Sequence, residues 1–256
     1  GPHLRLSGTA RRNLALAFPD KTPDEQEKSI IGMWDNLGRT AAEYAHLHHI
    51  WERVELHGSE HIRTVGESGR PAIFFAGHLA NWEIGPLAAR EAGLDLHSVY
   101  RKPNNSWVDG LLRHARGAGA VGHIQKGRSG AREVLFVLKK NGIVGMMVDQ
   151  KLNEGVAVPF FGHMAMTAPA IARFSLRLDC PLYPLRMERL GGARFKMTIL
   201  SALDIPRTGD TDADTRALLT EINRLLEEWV RARPEQWLWV HRRWPEKPVD
   251  SDVVGA

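Results

Sequence analysis

Short apolar runs alternate with helical patterns along most of this 256-residue chain, and this alternation restricts the fold more than any other feature. Strand-like runs occur at residues 72–76, 96–100, 121–124, 143–148, 182–186 and 195–200. Helical patterns occur at residues 22–50, 81–92, 106–116, 129–140, 167–178 and 212–231. Because such alternation is typical of parallel strands connected by helices, we predict an α/β fold with a mainly parallel central sheet flanked by helices.

The length of the chain is sufficient for one large core, and no internal repeat or long linker divides it. We therefore expect a single domain over residues 12–256. The opening Gly-Pro-His resembles the scar of a protease cleavage site. We assign residues 1–11 to this scar and an N-terminal remnant, and we expect a native membrane anchor to have been removed. No apolar run approaches the ~20 residues that span a bilayer.

The chain is mildly basic, with a net charge of +4 at pH 7 and a pI near 9.4. This charge suits an acidic partner such as a phospholipid surface, a phosphorylated substrate or an acidic carrier protein, although it is equally that of an ordinary soluble protein. The one cysteine, Cys180, excludes an intrachain disulfide and indicates a reducing compartment. Its apolar surroundings and the lack of a nearby basic residue predict a structural thiol.

The clearest candidate for catalysis is GHLANWE (residues 77–83), which directly follows an apolar run. On a continuous helix, His78 and Glu83 would point apart by roughly 140°. The two side chains can meet only if His78 lies in a loop and Glu83 in the first turns of the next helix. A neutral imidazole accepts a proton near pH 7, and a carboxylate on its other nitrogen would orient it. A capping histidine beside a solvated glutamate is the simpler alternative.

Two further polar groups follow predicted strands. Asp149 and Gln150 come directly after the run at 143–148, and the carboxyl ends of strands line the ligand crevice of open α/β sheets. Arg101 follows the run at 96–100, with Arg113 and Arg116 on the next predicted helix. Arginine binds phosphate or stabilises a developing oxyanion. The alternatives are an acid that caps a loop and a solvated basic face.

Several familiar catalytic and binding motifs are absent from the sequence, and the C-terminal tryptophans allow two interpretations. The sequence contains no HExxH metal motif, no GxxxxGK[ST] phosphate loop and no GxSxG nucleophile elbow. Without an evident enzyme nucleophile, direct attack by a substrate hydroxyl is favoured over covalent catalysis. Near the C-terminus, tryptophans alternate with arginines, which is typical of a membrane interface or, equally, of a helix that packs tryptophan into a core. The four tryptophans are Trp229, Trp237, Trp239 and Trp244.

Five sequence blocks in order resemble the lipid A biosynthesis acyltransferases, the lauroyl/myristoyl transferase family within the HxxxxD/E glycerolipid acyltransferases. GHLANWE resembles the GHxxNWE block of that family, in the glutamate version typical of the lipid A branch. The others are YRKPNN (100–105), VDQ (148–150), VPFFG (158–162) with Thr167, and WLWVHRRW (237–244). A short RNL…FP entry at residues 12–19 also matches, so the resemblance runs from about residue 12 to 245.

The resemblance implies a fold of the glycerolipid acyltransferase type and a fatty acyl transfer from acyl carrier protein, less often acyl-CoA, to a hydroxyl of a glycolipid precursor. It places the reaction at the cytoplasmic face of the bacterial inner membrane, with no nucleic acid as a partner. It also implies catalytic roles for His78, Glu83 and Asp149. The implied substrate-binding residues are Asn81, Arg101, Arg113, Arg116 and Gln150.

The expected mechanism is direct transfer without a metal or bound cofactor. His78, oriented by Glu83 or by Asp149, removes a proton from the acceptor hydroxyl, and the resulting alkoxide attacks the thioester. Arg113 or Arg116 is the candidate for stabilising the oxyanion, and Arg101 for binding an acceptor phosphate. Two alternatives stay open. One is a phospholipid or mannoside-type glycolipid acyltransferase with the same machinery, and the other is a catalytically silent lipid-binding relative.

Overall fold

The computed structural model describes residues 1–100 and 122–245. The helices in this part of the chain are α1 (Leu6–Ala17), α2 (Pro23–Glu43), α3 (Leu47–Ile50), α4 (Ser59–Ser68), α5 (Gly85–Glu91), α6 (Arg128–Lys139), α7 (Ala170–Leu178) and α8 (Thr211–Ala232). The strands are β1 (Val54–His57), β2 (Ala72–Ala76), β3 (Leu96–Tyr100), β4 (Gly122–Gln125), β5 (Ile143–Met147), β6 (Lys151–Phe160), β7 (His163–Thr167), β8 (Leu182–Gly191) and β9 (Arg194–Ile199).

Seven strands form one sheet in the order β1-β9-β8-β2-β5-β3-β4. All neighbouring pairs in this sheet are parallel except β8 and β9, which pair in antiparallel orientation. Strands β6 and β7 form a separate antiparallel hairpin. The prediction of an α/β fold with a mainly parallel central sheet flanked by helices is confirmed.

The sheet separates two hydrophobic clusters, and β2 contributes to both. Ile73 and Phe75 pack on one face with α1, α6, α7 and α8, whereas Ala72 and Phe74 pack on the other with α4 and α5. A strand that is buried on both faces must be apolar at every position, because successive side chains point to opposite faces. This explains why residues 72–76 form a continuous apolar run rather than an alternating one.

The long N-terminal helix begins as the sequence predicts but ends earlier. Thr22 accepts a hydrogen bond from the Glu25 N–H, and the Glu25 carboxylate accepts from the Thr22 N–H, which completes a capping box with Pro23 at the first helical position. Helix α2 ends at Glu43 and not near residue 50, and short 3₁₀ and one-turn helices continue to residue 53. Residues 6–11, assigned above to an N-terminal remnant, form the first turns of α1.

Three segments differ from the sequence prediction. Residues 151–167 form the β6–β7 hairpin, so Thr167 ends a strand and does not begin the following helix, which starts at Ala170 after Pro169. Strand β1 and helix α4 lie in a region without a predicted element. Strand β8 extends to residue 191. The predicted helix at 106–116 lies outside the described residues.

The C-terminal tryptophans are part of the core. Trp229, Trp237, Trp239 and Trp244 are at most 6% exposed and belong to the cluster around α8. Of the two alternatives drawn from the sequence, the core position is therefore correct for these four side chains, although only Trp229 lies on a helix. Among the described residues, no helix is both long and apolar enough to cross a membrane.

Candidate active site

The loop after β2 carries His78 and is held by the C-terminal segment and by α2. The backbone N–H of Ala80 donates to Gln236, and the carbonyl of Ala80 accepts from the side chains of Asn36 and Thr40. Ala80 itself has a φ of +50°, a left-handed conformation that is uncommon for a residue with a side chain. Because both backbone polar groups of Ala80 are bonded, the surroundings hold the loop in this conformation.

Asp149 is the carboxylate that the structure places on the His78 ring. Its Oδ1 lies 2.6 Å from His78 Nδ1, and its Oδ2 accepts the backbone N–H of His78 at 2.7 Å. The Trp237 indole N–H also donates to Oδ2, at 2.8 Å. The two residues meet because β2 and β5 are parallel neighbours, so His78 and Asp149 both follow the carboxyl end of their strand.

The ionisation of Asp149 determines which nitrogen of His78 carries the proton. Burial opposes the charged form of this carboxyl, which is 1% exposed. The positive charge of His78 and the hydrogen bonds from His78 and Trp237 outweigh burial and hold the pKa of Asp149 below its ordinary value. An ionised carboxylate only accepts hydrogen bonds, so Nδ1 of His78 is the protonated nitrogen. In the neutral ring, Nε2 then keeps its lone pair and is available as a base.

Glu83 lies beside His78 with other hydrogen-bond partners. Its Oε1 accepts from the Tyr44 hydroxyl at 2.6 Å and from the Trp82 indole N–H at 2.9 Å. The Trp82 ring packs edge-on against the His78 ring, with 5.1 Å between their centroids. As predicted, His78 lies in the loop and Glu83 in the first helical turn, here a 3₁₀ turn. Trp82 therefore lies between the two side chains, with its indole N–H on Glu83 and its ring against His78.

Asn81 is completely buried, and both ends of its side chain bond to protein groups. Its Oδ1 accepts the Glu83 N–H at 3.1 Å, and its Nδ2 donates to Glu43 at 2.9 Å. Glu43 in turn forms an ion pair with the buried Arg189 of β8. These are the contacts of a capping residue, and they hold Asn81 against Glu83. The role of Asn81 in substrate binding stays a prediction.

His241 is a site residue that the analysis of single motifs did not identify. Its ring lies 5.6 Å from the His78 ring, centroid to centroid, and its Nε2 is 3.3 Å from Gln150 Nε2. Trp237 and Tyr44 were also not singled out as site residues. The sequence signal for Trp237 and His241 is the WLWVHRRW block. The predicted binding residues Arg101, Arg113 and Arg116 lie outside the described residues.

A cavity of about 660 Å³ opens beside His78 and runs between the sheet and its helices. His78, Trp82, Glu83, Gln150 and His241 line one end. Its other walls are mainly aliphatic and aromatic, with lining residues that include Phe74, Leu87, Leu96, Gly145, Val134 and Phe174. A large apolar cavity with a few polar groups at one end is the typical form of a site for a small, mostly apolar ligand.

Over residues 1–100 and 122–245, no cluster of three or more His, Cys, Asp or Glu side chains has the arrangement to hold a metal ion.

Comparisons with known proteins identify the family. The sequence profile of bacterial lipid A biosynthesis acyltransferases matches residues 3–246. The chain belongs to this family. A lipid A biosynthesis palmitoleoyltransferase of Escherichia coli is 26% identical over 98% of this chain and 82% of its own length. A lipid A biosynthesis lauroyltransferase of the same organism is 26% identical over 95% of this chain and 80% of its own length.

Among solved structures, this lipid A acyltransferase family member is similar to the 1-acyl-sn-glycerophosphate acyltransferase PlsC of Thermotoga maritima. The TM-score is 0.43 and the sequence identity 14%, over 89% of this chain and 95% of that one.

The family profile covers the RRW end of the C-terminal block, and Arg243 in this block is fully buried. Arg243 donates to Thr167 and Asn223 and so joins the β6–β7 hairpin to α8 behind the site.

Proposed function

We propose that this protein transfers a fatty acyl chain from a thioester of acyl carrier protein, or of coenzyme A, to a hydroxyl group of a lipid A precursor. The observation that carries the proposal is the His78–Asp149 pair at one end of a large apolar cavity. Membership of the lipid A acyltransferase family supports the choice of reaction and acceptor. The relatives named above transfer lauroyl or palmitoleoyl groups in lipid A biosynthesis.

In the proposed reaction, His78 Nε2 removes the proton of the acceptor hydroxyl as the oxygen attacks the thioester carbonyl. The new C–O bond forms a tetrahedral oxyanion, which collapses with cleavage of the C–S bond. The imidazolium returns its proton to the departing thiolate, so the products are an ester and a thiol. Asp149 keeps Nδ1 protonated and stabilises the imidazolium throughout, as a buried aspartate does in related dyads and triads.

Three arginines that lie outside the described residues complete the proposal. Arg113 or Arg116 would stabilise the oxyanion, and Arg101 would bind a phosphate of the acceptor. His78 carries out both proton transfers in this scheme. The proposed reaction therefore needs neither a metal nor a bound cofactor. Glu83 and Asn81 keep the loop and the Trp82 ring in position, and Gln150 contributes to the polar end of the cavity.

The location proposed for this reaction is the cytoplasmic face of the bacterial inner membrane. An acyl carrier protein is acidic, and a net charge of +4 favours its capture by long-range attraction. Since salt screens such attraction, kcat/KM for the carrier-protein substrate should fall as ionic strength rises, while kcat changes little. A salt-independent kcat/KM would contradict capture by charge.

The test is to incubate the protein, and the His78→Ala variant, with acyl carrier protein loaded with C12 to C16 chains and a lipid A precursor. We expect the precursor to gain one acyl mass with the wild type only. General-base catalysis contributes roughly 10²–10⁴-fold, so the variant should lose at least the lower figure. Near-normal turnover by His78→Ala would contradict the mechanism.

Two other results would identify the alternatives. Thioester hydrolysis that depends on His78, without acylated product, would favour a phospholipid or mannoside-type acceptor. Binding of the acyl carrier protein and precursor without any reaction would favour a catalytically silent lipid-binding relative.

A further inference from the structure

A glycine lies at the centre of the sheet where the cavity meets it. Gly145 is in β5, between β2 and β3, and it is half-buried because the cavity reaches its backbone. A glycine inside a strand weakens the strand and contributes no side chain to the core. Its presence in an interior strand of the sheet therefore requires a structural or functional reason.

The backbone does not supply that reason. The φ angle of Gly145 is outside the left-handed region that favours glycine. A Cβ atom built on Gly145 would lie 3.3 Å from the side chain of Leu96, and its three nearest neighbours would all be side-chain atoms of Leu96. Gly130 of the same cavity is different, since its Cβ would lie 1.8 Å from the carbonyl oxygen of Gln125. Gly130 is required by close helix–strand packing, whereas a side chain at position 145 would press on Leu96 and extend into the cavity that Gly145 lines.

The position of Gly145 along the cavity indicates what this space does. Phe74 and Ser98 are its register partners on the neighbouring strands, and all three residues line the cavity on the α5 face of the sheet. This row lies two residues before the carboxyl end of β2, or about 7 Å at the usual rise of a strand. Two residues farther from His78 along the strands, Leu96 of β3 pairs with Ile143 of β5. Leu96 lines the cavity, whereas Ile143 does not.

The wall of the cavity on this side is apolar. Leu87 of α5 and Ile62 of α4 line it, and both are at most 4% exposed. The residues with charged or titratable groups near the other end include His78, Glu83 and His241. A long apolar group with its reactive end at His78 can extend along this wall toward Gly145 and Leu96.

We propose that the acyl chain of the thioester donor lies along the α5 face of the sheet and that Gly145 sets the length of chain the site accepts. This inference rests on the proposed acyl transfer. The absence of a side chain at position 145 lets the acyl chain pass the register row of Phe74, Gly145 and Ser98 and end against Leu96. A side chain at position 145 would fill the cavity at this row, so the space for the acyl chain would end nearer to His78.

The test compares the wild type with Gly145→Ala and Gly145→Val, using acyl carrier protein loaded with saturated chains from C8 to C16. Excluding one methylene from an apolar pocket changes kcat/KM by about 10- to 200-fold. Gly145→Val should therefore lower kcat/KM at least tenfold for the longest chain that the wild type uses. For the shortest chains we expect a change of less than about threefold, and Gly145→Ala should give a smaller shift in the same direction.

Met146→Phe is the matched control, because Met146 is the next residue of β5 and lines the cavity from the opposite face of the sheet. It should leave the rank order of chain lengths as in the wild type. Because a side chain at position 145 would press on Leu96, the thermal unfolding of each Gly145 variant is measured to show that it stays folded at the assay temperature.

Three results would overturn the inference. A wild-type chain-length profile in Gly145→Val would show that the donor chain lies elsewhere, and a shift in Met146→Phe alone would place it on the opposite face. An equal loss for all chain lengths in a stably folded Gly145→Val would assign the glycine to catalysis instead. If the wild type transfers no acyl chain of any length, the proposed function itself fails.

Discussion

Asp149 holds His78 at two points, with one carboxylate oxygen on the backbone N–H and the other on the ring nitrogen Nδ1. The first contact fixes where the loop after β2 begins, and the second fixes how the imidazole ring is turned. A side chain with both contacts couples the path of the backbone to the tautomer of the imidazole ring. The pair is therefore more rigid than a histidine that is oriented by a single bond.

Asp149→Asn is expected to lower kcat at least 100-fold while the protein stays folded. An asparagine amide can donate to Nδ1, which would move the ring proton to Nε2 and remove the base. In a serine protease triad, the corresponding change costs about 10⁴-fold. Steady-state kinetics with acyl carrier protein substrate would measure the loss, and circular dichroism would show whether the fold is retained.

The double variant His78→Ala with Asp149→Asn tests whether the two residues act as one unit. Groups that act together are strongly non-additive, so the double variant should be about as active as His78→Ala alone. A further loss that multiplies the two single effects would mean that Asp149 acts independently of His78.

Trp237→Phe is expected to lower kcat about tenfold. The change removes the indole N–H that donates to Asp149 at 2.8 Å and leaves an aromatic ring in the core. A hydrogen bond to a charged group contributes about 1.5–3 kcal/mol, and its loss would raise the pKa of Asp149 and loosen its position. Activity in the variant should also decline at a higher pH than in the wild type as the solution is acidified.

Trp239→Phe is the matched control for this prediction. Trp239 is equally buried, packs against Trp237 and donates its indole N–H to the Pro234 carbonyl rather than to the site. Both variants lose one buried donor, so both should be destabilised to a similar degree. Equal losses of kcat in the two variants would mean that Trp237 serves only the core.

The sequence predicts the strands around the site better than it predicts which side chains meet there. The bounds of β2 and β3 match the predicted runs, because each is a short apolar segment with clear ends. The sequence also placed Asp149 at the end of a strand. It could not decide between Glu83 and Asp149 as the partner of His78, because that choice depends on β5 lying next to β2, and Asp149 is 71 residues away in the chain.

The β6–β7 hairpin could not be predicted for a different reason. Its turn places Phe161 and Gly162 at positive φ, at +52° and +72°. Two-residue turns of this kind usually contain Asn-Gly or Asp-Gly, and a phenylalanine gives no such signal. The Phe161 N–H instead donates to the carboxylate of Glu227 on α8. The turn therefore depends on a contact between segments that are distant in the sequence.

Arg189→Met is expected to destabilise the fold by about 3–5 kcal/mol, the usual cost of removing one partner of a buried ion pair. Arg189 is 9% exposed and bonds to Asn36 and Glu43 of α2, so its loss leaves the Glu43 carboxylate without its cation. Urea unfolding would measure the change in the free energy of unfolding.

The double variant Arg189→Met with Glu43→Gln is the control. It removes the charge that the single variant leaves unpaired and keeps an oxygen that can accept from Asn81. We expect it to recover more than half of the lost stability. A double variant no more stable than Arg189→Met would show that packing of the arginine side chain, and not the ion pair, holds α2 to the sheet.

Cys180 is expected to resist thiol reagents in the native protein at pH 8. Burial raises the pKa of this thiol to about 12, with the charges of Arg70 and Asp179 as smaller influences. The thiolate is the reactive form, and the side chain is fully buried in the core. The reaction with a chromogenic disulfide should therefore be slow in buffer and fast in denaturing urea.

The same raised pKa gives a dependence of stability on pH. Above pH 9 the unfolded chain loses the thiol proton while the folded chain keeps it, so the free energy of unfolding should fall as pH rises from about 9 to 12, by up to about 1.4 kcal/mol per unit. Cys180→Ala should remove this part of the alkaline slope. Fast labelling of the native wild type, or the same slope in both proteins, would show that the thiol is accessible to solvent.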